Sequence, residues 1–122
     1  VCAKSETRVL FIAYEHVIKR CENACKFHSQ LVSNLLQMIA LRASQQANRI
    51  YVLSRNSIRK KIMTYLNSIA AEKQTKTVIL PMSYTTFAEY LSVDRSAMMR
   101  ELKNLADEGI IERDGKKLRI LD

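Results

Sequence analysis

The only proline and both glycines of this chain, Pro81, Gly109 and Gly115, all fall beyond residue 80. Everything before Pro81 is therefore free of the two residues that most readily interrupt a helix. From about Phe27 to Leu53 nothing breaks a helical pattern in which Val32, Leu36, Ile39, Ala43, Ala47 and Ile50 recur at spacings of three and four. A second stripe, Phe27, Leu31, Leu35 and Met38, lies beside the first, so the first half of this helix is apolar over more than one face and needs two neighbours. Two arrangements meet that need: an internal core helix, or a helix shared between a dimer seam and a further domain. The second makes Val32, Leu36, Ile39, Ala43, Ala47 and Ile50 the dimerisation residues.

The flanking segments are shorter. Arg8 to Tyr14 (RVLFIAY) is β-branched and aromatic enough to predict a strand, with no obvious partner in this chain. Ser54 is a candidate N-cap for a helix from Arg55 to about Glu72, with Ile58, Ile62, Tyr65, Leu66 and Ile69 on one face and Arg59, Lys60 and Lys61 on another. That cationic group reads more readily as a solvated face than as a ligand contact. Thr77 to Leu80 predicts a short strand ended by Pro81.

Residues 83–118 carry the most specific pattern. Ser83 caps a predicted helix from Tyr84 to Leu91 whose inner face is Phe87, Ala88 and Leu91, and Ala88 is small where a second helix would cross. Val93 plugs the turn, and Asp94 caps a second helix on which Met98, Leu102 and Leu105 form a buried stripe. Ser96, Met99, Arg100 and Lys103 lie on its other side, with Arg95 at the exposed first turn. Gly109 stops the helix, and Ile110 to Ile120 reads as a hairpin with Asp114-Gly115 at its tip as a type I′ pair. A short helix, a turn, a second helix with cations in its N-terminal half and a basic hairpin form a winged helix-turn-helix, in which the second helix enters the DNA major groove. The expected contacts are Arg95, Ser96, Met99, Arg100 and Lys103 on that helix, Ser83 and Tyr84 at the start of the first, and Lys116 and Lys117 on the wing. An unrelated fold with an αα-hairpin followed by a β-hairpin is the alternative.

Charge alone would have pointed elsewhere. The chain carries a formal +8, which suits a polyanionic partner, yet residues 84–122 hold 7 basic and 8 acidic groups while residues 42–61 hold 6 basic and none acidic. Position on the helix has to decide, since Asp107 and Glu108 lie at its far end.

Ala88 to Ile111 (AEYLSVDRSAMMRELKNLADEGII) resembles the helix-turn-helix signature of the Crp/Fnr family, regulators related to the cyclic-AMP receptor protein. Leu53 to Leu66 is similar to the helix opening that family's DNA-binding domain, the long helix to its dimerisation helix, and Val1 to Val17 to the end of its cyclic-nucleotide-binding β-roll. The resemblance implies a mainly α protein with small β structure, divided into a β-roll remnant (1–26), a dimerisation helix (27–53) and a winged helix-turn-helix domain (54–122). It implies a cytoplasmic homodimeric transcription regulator that reads an inverted repeat in double-stranded DNA, with RNA polymerase as a further partner. Base reading falls on Arg95, Ser96, Met99 and Arg100, and phosphate contact on Lys103. Two residues depart from the family pattern: Ser96 stands where many members have Glu, and Ser92 where the turn usually has Gly.

No cofactor is expected within this chain, and the effector's phosphate-binding segment would lie upstream of Val1. The chain begins without an initiator Met or signal pattern, which suggests a fragment. No apolar run is long enough to cross a bilayer. Cys2, Cys21 and Cys25 read as thiols of a reducing compartment. Cys21 and Cys25, with His28 nearby, leave a redox or metal sensor as one alternative, although their spacing matches no metal fingerprint, and a dimerisation fragment inert towards DNA as another. His16 and His28 have no nucleophile in a catalytic arrangement and no Gly-rich phosphate loop occurs, so an enzyme is not expected.

Overall fold

A computed structural model describes residues 3, 5–18 and 26–121. The element order is α1 (Tyr14–Ile18), α2 (Lys26–Leu53), α3 (Ile58–Lys73), β1 (Thr77–Ile79), α4 (Tyr84–Leu91), α5 (Arg95–Asp107), β2 (Ile111–Asp114) and β3 (Lys117–Ile120). Contacts divide the chain into two units, residues 1–44 and 45–122. Among the described residues no helix is long and apolar enough to cross a membrane.

In the first unit, residues 6–13 form no strand; they are exposed and irregular, and Tyr14 begins a helix instead. β propensity is a preference for packing on a pleated, half-buried surface, and no strand is described in this unit to pair with. The long helix runs as the periodicity predicts. Leu36 and Ile39 are 61% and 64% exposed on it, beside an apolar groove bounded by Ile12, Tyr14, Val17, Val32, Leu36 and Ile39. Cys2, Cys21 and Cys25 lie outside the described residues.

In the second unit the core joins Val52, Ile62, Tyr65 and Leu66 to Phe87, Ala88, Leu91, Met98, Leu102 and Leu105, closed by Val78, Leu80, Ile111, Leu118 and Ile120. The Tyr65 ring packs 4.9 Å from Phe87 and 5.4 Å from Tyr90, and Arg49 of α2 stacks 5.2 Å over Tyr90. The capping of α3 corrects the sequence expectation. Its N-cap is Ser57, whose hydroxyl accepts from the Lys60 amide, and the helix starts at Ile58. Ser54 instead turns its hydroxyl back to donate to the Tyr51 carbonyl at 2.8 Å, closing the end of α2.

The sheet has the order β1-β3-β2, antiparallel throughout. Val78 opposes Leu118, and Ile111 opposes Ile120, which turns every second residue of β3 into the core. Asp114 pairs with Lys117, so the two-residue tip is Gly115-Lys116 rather than Asp114-Gly115. Of the two, only Gly115 has a positive φ, +53°, which suits a turn with Gly in its first central position better than type I′. Moving the tip back by one residue would slide β3 two positions along β2 and set Ile111 opposite Leu118 instead of Ile120.

Candidate nucleic-acid interface

Both helices of the motif begin at side-chain caps. Ser83 Oγ accepts from the Thr86 amide at 3.1 Å, and Asp94 Oδ1 accepts from the Ala97 amide at 2.8 Å, each satisfying a donor that the first turn leaves free. Between them the chain turns through Ser92 in the left-handed conformation, φ 51° and ψ 56°. There the Val93 amide donates to the Ala88 carbonyl and the Ser92 amide to the Glu89 carbonyl, both at 3.1 Å. Lys61 of α3 supports the same turn, its Nζ donating to the Leu91 carbonyl at 3.1 Å. This puts a cation at the negative end of α4.

The turn fixes the two faces of α5. Met98, Leu102 and Leu105 are buried against Phe87, Ala88 and Leu91, while Arg95, Ser96, Arg100 and Lys103 are exposed. Among the described residues no side-chain hydrogen bond or ion pair engages Arg95, Ser96, Arg100 or Lys103. Their donors are therefore open to a ligand. Met99 is half-buried and packs partly against the core, so less of it faces outward than the helical pattern alone implied.

The wing is attached to the first helix of the motif. Tyr84 at the start of α4 donates its phenol O–H to the Gly115 carbonyl at 2.5 Å, and the Arg113 guanidinium lies 5.8 Å over its ring. Burial pushes the Tyr84 phenol above its ordinary pKa, with the Arg113 charge opposing the shift. Lys116 and Lys117 are exposed at the wing tip, and Ser83 spends its hydroxyl on capping.

Residues 60–122 match the family described as the Crp-like helix-turn-helix domain, just over half of the chain. The chain belongs to that family. Over 70 residues it is 39% identical to the "Probable transcriptional regulator flp" of Lacticaseibacillus casei, a match covering 57% of this chain and 32% of that protein. A solved structure from Eubacterium rectale assigned to the crp/fnr family of transcriptional regulators superposes with a TM-score of 0.51 at 24% identity, over 75% of this chain and 42% of that one. At that identity the fold alone is shared. The chain spans about a third of the curated relative's length. Residues 60–122 are thus a Crp-like helix-turn-helix domain.

One feature of this Crp-like domain escaped the sequence analysis. Arg59 of α3, read there as part of a solvated cationic face, reaches two carboxylates of the second motif helix. Its Nε donates to Glu101 Oε1 at 2.5 Å, and its two terminal nitrogens donate to both oxygens of Glu108 at 2.7 and 2.6 Å. Hydrogen bonding from Arg59 holds the Glu108 carboxyl below the ordinary carboxylate range, and the same bonds push the guanidinium further above its own. Glu108 is also the C-cap of α5, just ahead of Gly109, which has a φ of +73°. No local spacing signals these pairs, because Arg59 lies 42 and 49 residues from its partners.

Proposed function

We propose that this chain acts as a homodimeric, sequence-specific DNA-binding regulator, with α5 in the major groove and the Gly115-Lys116 wing against the phosphate backbone. The observation that supports it best is the division of α5. One face is committed to the core, and the other presents Arg95, Ser96, Arg100 and Lys103 with no protein partner among the described residues. Arg100 suits a bidentate contact with guanine O6 and N7, whereas the short Ser96 hydroxyl discriminates weakly. Lys103, Lys116 and Lys117 carry phosphate contacts. Tyr84 acts by holding the wing more than by touching DNA, given the use of its hydroxyl.

Dimerisation through Val32, Leu36, Ile39, Ala43, Ala47 and Ile50 is part of this reading. It is supported by the exposure of large apolar residues on α2, with Ile50 68% exposed. A two-fold dimer then places two recognition helices about one DNA turn apart on an inverted repeat. A cytoplasmic location, contact with RNA polymerase and an effector bound by sequence upstream of Val1 complete the proposal on family grounds.

Selection from a randomised duplex pool tests it. Wild type should enrich an inverted repeat, and Arg100→Ala should relax one position per half-site at a cost of about 1–3 kcal/mol. Ser96→Glu should gain a preference for cytosine beside that position, because a carboxylate accepts from cytosine N4. Identical consensus sequences from all three proteins would remove α5 from the bases.

A further inference from the structure

Residues 84–122 hold more acidic than basic groups, 8 against 7, although they contain the whole predicted DNA reader. Three of those acids sit on α5 itself or at its C-cap, Asp107 and the two that Arg59 reaches, Glu101 and Glu108. Glu101 and Glu108 are about two helical turns apart and so share one line of its surface, flanking the buried stripe on the side nearer Arg100. Left alone, these carboxylates would repel a polyanion approaching the adjacent cations. Glu108 would also suffer at the negative end of the helix, where α5 offers no basic residue in its last turn.

We infer that Arg59 masks Glu101 and Glu108, two of the three carboxylates on the recognition helix and its C-cap, and that this masking helps a locally acidic domain to approach DNA. The inference rests on the proposed function and deepens it. Arg59 comes from α3, within the stretch 42–61 that contains 6 basic and no acidic residues, so the charge is lent to the reader by the preceding segment. Its Nε engages one carboxylate and its two terminal nitrogens engage the other, a distribution that the planar guanidinium permits and a single ammonium does not. Arg59 is thus a positioning residue. Its donors are directed at the carboxylates, and its effect on DNA is exerted through them.

The test compares the full chain with Arg59→Gln, Arg59→Met, Glu101→Gln/Glu108→Gln and the triple variant Arg59→Gln/Glu101→Gln/Glu108→Gln. Binding to a non-specific duplex is measured across a salt series, with thermal melting of each protein in parallel. Both single variants should bind about tenfold more weakly at low salt, the deficit shrinking as salt screens the exposed carboxylates. In the triple variant, affinity should return to within about twofold of wild type, because the repelling charges have gone with the mask. The double variant should bind at least as well as wild type. A triple variant as weak as Arg59→Gln would overturn the inference, since that result belongs either to a direct Arg59–phosphate contact or to a purely structural role followed by melting. Single variants that bind like wild type would overturn it as well. A wild-type chain with no duplex affinity would instead overturn the functional reading on which the inference stands.

Discussion

The Tyr84 hydroxyl and the Gly115 carbonyl, 31 residues apart in the chain, join the start of the first motif helix to the tip of the wing. Tyr84→Phe keeps the ring and removes the donor. It should lower stability by about 1 kcal/mol, the net value of one hydrogen bond, and give the wing more freedom. Amide exchange at residues 114–117 should speed up more than exchange in α5; equal change in both would mean that the bond does not hold the wing in particular. The pH dependence has a defined sign. A phenol raised above its ordinary value of 10.0 contributes stability that is complete below that value and is lost as pH rises through the higher one, so the bond should persist throughout the neutral range.

Ser92 occupies a left-handed conformation, φ 51°, where the family pattern has Gly. A side chain there costs about 1–2 kcal/mol, and the added freedom of an unfolded Gly returns about half of it. Ser92→Gly should therefore stabilise the domain by about 0.5–1 kcal/mol, seen as a higher urea midpoint with an unchanged slope. A lower midpoint would show that the serine side chain contributes something its exposed position does not suggest.

Glu108 is held below its ordinary value of 4.5 by the hydrogen bonds from Arg59. A depressed carboxyl pKa adds stability that is present above the ordinary value and disappears as pH falls through the depressed one. Wild type should melt higher than Glu108→Gln at pH 7, and the gap should close as the solution is taken below about pH 4.5. A gap that stays constant into acid would mean that the ion pair does not stabilise the fold.

Dimerisation predicts that Leu36→Asp combined with Ile39→Asp gives a monomer by light scattering, because each places a charge in an apolar seam. DNA affinity should fall with it, through the loss of bivalent binding. A double variant that remains dimeric would move the seam off this face.

Much of the motif was legible because its signals are local. A cap needs only an oxygen three residues ahead of a free amide, and Ser83 with Thr86 and Asp94 with Ala97 obey that rule. Likewise Met98, Leu102 and Leu105 announce a buried face by spacing alone. Where distant partners decide, the sequence was mute or misleading. The wing tip lies one residue later than the Asp114-Gly115 signal placed it, and the apolar run from Arg8 has no strand beside it among the described residues. Ser54 and Ser57 compete for the same role, and the winner depends on where α2 ends. Arg59 looked like a solvated cation because its carboxylates are far along the chain.

The strand order β1-β3-β2 also governs when this domain can form. β3, residues 117–120, is the middle of the sheet although it is the last of the three to be synthesised, and it is paired with β1 from ahead of the helix-turn-helix and β2 from behind it. Until it leaves the ribosome, Val78 and Ile111 lack the neighbours that bury them. Both motif helices will have emerged by then, but their shared core stays open on one side. A nascent chain stalled short of residue 117 should therefore carry α4 and α5 without a closed core, and the DNA binding proposed for this domain should arrive in a single late step of translation rather than growing helix by helix.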